Sequence, residues 1–209
     1  MRLGTVILIS LVSIPAMSQP PADPVSTSTG ILNYRPITAK QRVRWFVHLT
    51  VGLDSIPGGL LSSGWETLRD RPKEYGTHWE GFGERYGLRL TSIAAGNAME
   101  AQLGAAWGED PRYIRATGQP FRTRLANVAK MTVLAYGRDG QTMPAYSRYI
   151  AIPASNFLSN TWRPESDASA RDASVRIALG FVGRMTHNAV EEFWPDIKHH
   201  VFRIGQPGP

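Results

Sequence analysis

The chain reads as an all-α protein, a single bundle of about five helices with Gly/Ala-rich packing faces and kinks at proline. Three observations predict that class. Beyond residue 38, apolar side chains recur at three- and four-residue spacing, no alternation of convincing strand length occurs, and the interruptions fall at glycine and proline. Cysteine is absent, which excludes disulfides, thiolate nucleophiles, cysteine metal sites and a lipid anchor on cysteine. A fold without such staples rests on packing alone.

The N-terminus is not part of that bundle. Met1-Arg2, an apolar run from Val6 to Met17 and the small residues Ala16 and Ser18 before Gln19 form a secretory signal peptide over residues 1–18. The run is shorter than the roughly 20 residues a membrane span needs. The expected address is therefore the periplasm or cell envelope. Residues 19–37, rich in Pro, Ser and Thr, read as an extended leader without a core of its own. The helical domain covers 38–203, and 204–209 form a short tail.

Each helix is marked by its own signals. Thr38-Ala39-Lys40-Gln41 fits a capping box and opens a first segment to about Arg69, kinked at Pro57-Gly58-Gly59. A second runs from about Thr77 to Trp107 and stops at Gly108. A third spans about Phe121 to Tyr136, before Gly137-Arg138-Asp139-Gly140. A fourth, about Pro144 to Asn160, is broken near Pro153. A fifth, about Ser166 to Trp194, restarts at Pro195. Its repeat of Val175, Leu179, Val182, Thr186, Ala189 and Phe193 predicts one buried stripe.

The second segment is glycine-rich. Gly83 and Gly87 share one face, as do Gly96 and Gly104, and such faces admit a neighbouring helix at close range, in a soluble bundle or in a membrane. Tryptophans 45, 65, 79, 107, 162 and 194 lie mostly near the ends of apolar stretches, so Trp45, Trp65, Trp79, Trp107, Trp162 and Trp194 are expected aromatic anchors. Slightly negative mean hydropathy and the polar Asn97, Glu100 and Gln102 inside the best apolar stretch weigh against full insertion. A soluble or surface-lying bundle is the preferred reading.

The formal charge of +6 comes mainly from scattered arginines. No basic block resembles a nucleic-acid arm, and export makes nucleic acid an unsuitable partner. The expected partners are a membrane surface or an envelope protein, with homo-oligomer formation left open. No Gly-x-Ser-x-Gly elbow, phosphate loop or dinucleotide fingerprint occurs, and no cofactor is implied.

His187 and Glu191, one turn apart, together with Glu100 from another helix, are the catalytic candidates of a competing reading as an exported hydrolase or metal-dependent enzyme. The two-histidine zinc arrangement is missing, and no metal site is assigned. A further reading makes Arg85, Arg89 and Arg112, with Tyr113, donors to acidic glycans or lipid headgroups. Against it, Glu109-Asp110-Pro111-Arg112-Tyr113 reads as a structural corner and Glu192-Phe193-Trp194-Pro195-Asp196-Ile197 as an anchor.

Trp79-Glu80-Gly81-Phe82-Gly83-Glu84-Arg85-Tyr86-Gly87 followed by those two motifs, in this order across residues 38–203, resembles a group of uncharacterised, signal-bearing bacterial proteins of the Acidobacteria type. The resemblance implies export and a shared helical fold, and it supplies no catalytic residues. The sequence thus points to a non-enzymatic envelope protein that associates through Gly/Ala faces and aromatic helix ends.

Overall fold

The computed structural model describes residues 34–52 and 55–203, with side chains as far as 198. The signal peptide, most of the leader, Asp54, and the 204–209 tail lie outside the described residues. Six α-helices make up most of it: α1 (Ala39–Val51), α2 (Ile56–Leu68), α3 (Trp79–Trp107), α4 (Phe121–Val133), α5 (Tyr146–Ser159) and α6 (Ala170–Arg203). The all-α class holds. One two-stranded antiparallel ribbon, β1 (Leu134–Tyr136) with β2 (Thr142–Pro144), joins α4 to α5.

The capping box at Thr38 forms as expected. Gln41 N donates to Thr38 Oγ1 at 3.3 Å, while Thr38 N donates to Gln41 Oε1 at 2.9 Å. The expected first helix is instead two. α1 ends at Gly52, whose extended backbone leaves the helical path, and Pro57 sits in the first turn of α2. There its missing N–H would have had no partner anyway, so the proline starts a helix and does not kink one.

The two pieces run antiparallel along α3. Arg42 reaches the carbonyls of Ala101 and Glu109, Asn97 donates to Thr50, and Arg85 reaches Thr67. α5 also runs antiparallel to α3, and α6 runs antiparallel to α5 along its other side, carrying α4 on its C-terminal half. The result is an up-and-down bundle with two ends. The first gathers residues around 65–79 and 160–172; the second gathers those around 39–45, 105–115 and 192–198.

Two prolines expected to break helices do not. α5 is continuous through Pro153 and α6 through Pro195. Pro195 cannot donate to the Glu191 carbonyl; in the same turn Arg124 and Arg115 donate to the neighbouring Glu192 carbonyl at 2.6 and 3.2 Å, tying this stretch of α6 to α4 and the preceding loop. α4 stops three residues early. Arg148 Nη1 donates to the carbonyls of Met131 and Thr132 at 2.9 Å, satisfying the helix end while the chain turns into β1. Gly108, left-handed at φ 79, closes α3 at the expected stop.

The α6 stripe is reversed. Val175, Leu179 and Val182 are 53, 60 and 52% exposed, and the buried positions are Ala173, Arg184, Asn188 and Glu192. The helix therefore turns its polar face inward. Among the described residues the buried apolar ones are few and mostly small, namely Val128, Met131, Tyr136 and four alanines. Large apolar side chains face outward on α1, α2, α4, α5 and α6.

The glycine faces divide. A Cβ on Gly96 would stand 2.9 Å from Ser155 Oγ, and one on Gly104 would stand 2.9 Å from an Arg42 guanidinium nitrogen, so these two pack closely as expected. At Gly83 and Gly87 a Cβ would meet nothing within 4 Å; these glycines face open space, not a neighbouring helix. Gly81 is the tightest of the α3 glycines, since its Cβ would fall 2.0 Å from Tyr75 O. Gly87→Ala is accordingly expected to raise stability by up to about 1 kcal/mol. Gly81→Ala should lower it by at least about 1–3 kcal/mol, because backbone must move. Thermal unfolding followed by circular dichroism separates the two.

Candidate functional site

The strongest chemistry lies inside the bundle. Glu100 of α3 is 2% exposed and stands between two arginines. Arg148 Nε of α5 donates to Glu100 Oε1 at 3.0 Å, and Arg184 of α6 donates to Glu100 Oε2. The Arg184 guanidinium also stacks over the Trp45 ring of α1, 5.4 Å from its centroid. One carboxylate and two guanidiniums thus tie four helices together. Asn97 with Thr50, and Asn188 with Thr132, continue the buried polar layer.

A second buried cluster fixes the loop after α3. Glu109 accepts from Ser147 N at 3.0 Å and Ser147 Oγ at 2.6 Å, so a carboxylate caps the first turn of α5. Asp110 accepts from Arg112, whose Nη2 lies at 2.6 Å, and from Tyr34 OH at 3.0 Å. Arg112 also donates to the Arg35 carbonyl at 2.9 Å. Tyr34 therefore docks on the bundle, ring to ring with Tyr136 at 5.6 Å, and the last residues of the expected leader belong to the fold. Burial and the Asp110 charge together push the Tyr34 phenol above its usual range. The bond from Asp110 holds the Arg112 guanidinium more firmly charged.

Glu192 forms the third knot. Fully buried, it accepts from Tyr113 OH at 2.8 Å, Ala116 N at 3.1 Å and Arg124 Nε at 2.6 Å. Asp196, one turn on, pairs with Arg124 at 2.5 Å. The corner motif and the anchor motif, far apart in sequence, are thus one construction. Burial, with Glu192 beside it, raises the Tyr113 phenol as well.

The other expected site residues separate. His187 Nε2 and Glu191 Oε1 meet at 3.0 Å on α6, but Glu100 is committed to its arginines and does not join them in a cleft. Among the described residues, no group of three or more His, Cys, Asp or Glu is placed to hold a metal ion. Arg85 is buried and donates to the carbonyls of Arg71, Pro72 and Gly76 at 2.7–2.8 Å, clamping the turn before α3. Arg112 and Tyr113 are held by Asp110 and Glu192. Arg89 lines a small cavity with Tyr86, Gly59 and Thr50, of about 10 Å³, room for no more than one water.

Trp79, Trp65 and Trp107 are exposed at or near helix ends, whereas Trp194, expected at a helix end, is exposed nine residues inside α6. Trp45 differs, since it turns inward under Arg184, and Trp162 is half-buried. Sequence reasoning passed over Arg148, Arg184, Asn188 and Arg124. Their signal was present in Arg184, Asn188 and Glu192, which fall at successive four-residue steps and mark an inward polar face. Comparison with family models, curated proteins and solved structures finds no match to this chain.

Proposed function

We propose that this chain is a non-enzymatic protein of the bacterial envelope, exported by its N-terminal segment, that associates with a membrane through its apolar outer faces. One observation carries the reading, namely the inversion of burial. In water a bundle of this size lowers its free energy by burying large apolar side chains, at about 25 cal/mol per Å². Here the buried positions include Glu100, Arg148, Arg184, Glu109, Asp110 and Glu192, with Val128 and Met131 as the only large aliphatic side chains among the described residues, while Leu61, Leu68, Trp79, Ile150, Val175 and Leu179 are among the many large apolar side chains left exposed. Such an exterior reaches low free energy only when something apolar covers it. The basic excess suits anionic headgroups. No described helix is by itself long and apolar enough to cross a membrane.

Fractionation tests this. Expressed as the full chain, the protein is expected to sediment with membranes and resist release by high salt and by alkaline carbonate, leaving only with detergent. Quantitative recovery as an aqueous monomer that ignores phosphatidylglycerol-containing vesicles would refute the reading.

A further inference from the structure

We infer that the assembled bundle sits across the hydrocarbon of a bilayer, with its two ends at opposite interfaces and its charges folded inward. This rests on the membrane reading above and adds depth and orientation to it. The first argument is a matched length. The exposed side chains of α3 from Gly87 to Trp107 include none that carries a charge. The same holds for α6 from Ser174 to Trp194. Each stretch of 21 residues rises about 30 Å, the thickness of the hydrocarbon core. On α5 (Tyr146–Ser159) the exposed side chains are uncharged too.

The second argument is what bounds the band. Trp65 and Trp79 are exposed at the first end, Trp107 and Trp194 at the second, which is the two-level arrangement of residues that prefer the headgroup boundary. Most exposed charges lie outside the band. Arg44 on α1 and Lys130 on α4 fall inside it, Lys130 near the level of Asn188, and their long stems would have to snorkel toward the headgroups of the second end.

The third argument decides between occupants. A peripheral attachment or a partner copy covers one side of a bundle. Here exposed apolar residues stand on five different helices: Val47, Leu61, Leu125, Ile150 and Leu179 each belong to another one. Only a surrounding medium covers all of them. α1, α2, α4 and α5 are only 13 or 14 residues long, and α3 and α6 carry charges, several of them paired inside, that lower their hydropathy, so no described helix is long and apolar enough to cross alone. Glu100, Arg148 and Arg184 then neutralise one another within the bundle, as ionisable groups at membrane depth must.

The natural absence of cysteine makes the test direct. Three single-cysteine variants of the full chain are placed at exposed positions: Glu80→Cys at the first end, Arg122→Cys at the second and Leu179→Cys in the band. Sealed membrane vesicles from expressing cells are treated with an impermeant polyethylene-glycol maleimide, before and after permeabilisation. One end is expected to label in sealed vesicles and the other only after permeabilisation, with Leu179→Cys protected until the protein is unfolded in detergent. Both ends labelling from one side, or Leu179→Cys reacting as readily as the ends, overturns the spanning placement. If the protein still co-sediments with the vesicles in that case, membrane association stands and only its mode fails. If it stays in the supernatant, the association itself fails.

Discussion

Glu100→Gln is expected to be among the most damaging single substitutions in this protein, costing about 3–5 kcal/mol, the usual effect of removing one partner from a buried ion pair. It leaves two guanidiniums, Arg148 and Arg184, facing each other in the interior with no negative charge between them. Against a typical stability of about 5–15 kcal/mol, that loss should be visible as poor accumulation of folded protein and a much lower denaturation midpoint. The combination Glu100→Leu, Arg148→Met and Arg184→Met removes the charges together and should recover most of the loss, since buried ion pairs contribute little net stability over apolar replacements. Recovery should stop short of complete. Arg148 also satisfies the Met131 and Thr132 carbonyls, and each orphaned carbonyl costs about 1–3 kcal/mol. Denaturant unfolding of the purified chain in detergent, followed by circular dichroism, measures all of these.

Glu192→Ala should have the next largest effect, about 3 kcal/mol, because it strands Arg124 and takes an acceptor from Tyr113 and from the Ala116 amide. Its signature is local. The loop between α3 and α4 is held to α6 by those bonds, so hydrogen exchange and protease cleavage within residues 109–120 should rise well before the bundle unfolds. Glu191→Ala is the internal control. The neighbouring carboxylate is part-exposed and touches only His187 among the hydrogen bonds found, and such an i,i+4 surface pair contributes about 0.5 kcal/mol or less. Two adjacent glutamates should thus differ several-fold in cost.

Much of the fold was legible because local chemistry decided it. Thr38 and Gln41 announce a helix start, Gly108 a helix stop, and both act where expected. Tertiary contacts decided the rest. Pro153 and Pro195 lie inside helices that continue through them. The three-residue strands of the ribbon are too short to show any alternation. Arg85, read as a free donor, is consumed by backbone carbonyls, and the Gly83–Gly87 face meets no helix.

The α6 stripe carries the most physical content. Periodicity finds an apolar face but not which way it points. Assigning it to the interior assumes that water is the solvent all around, and Leu179 on the outside with Arg184 on the inside reverses that assumption. The isolated charges within apolar runs, Glu100 and Arg148, were the clue that the interior is the polar side.

A charge placed on the outer face therefore probes the central claim most directly. Leu179 is 60% exposed on α6, five residues inside the band that begins at Ser174. In water, Leu179→Asp should be neutral or should improve solubility. In hydrocarbon an aspartate costs up to about 2.5–3.5 kcal/mol, the value at the bilayer centre. The account predicts that Leu179→Asp sharply lowers the amount of protein retained in carbonate-washed membranes, while Glu80→Gln at the bundle's end leaves it unchanged. Undiminished retention of Leu179→Asp, or its recovery as a well-folded aqueous monomer, would contradict it.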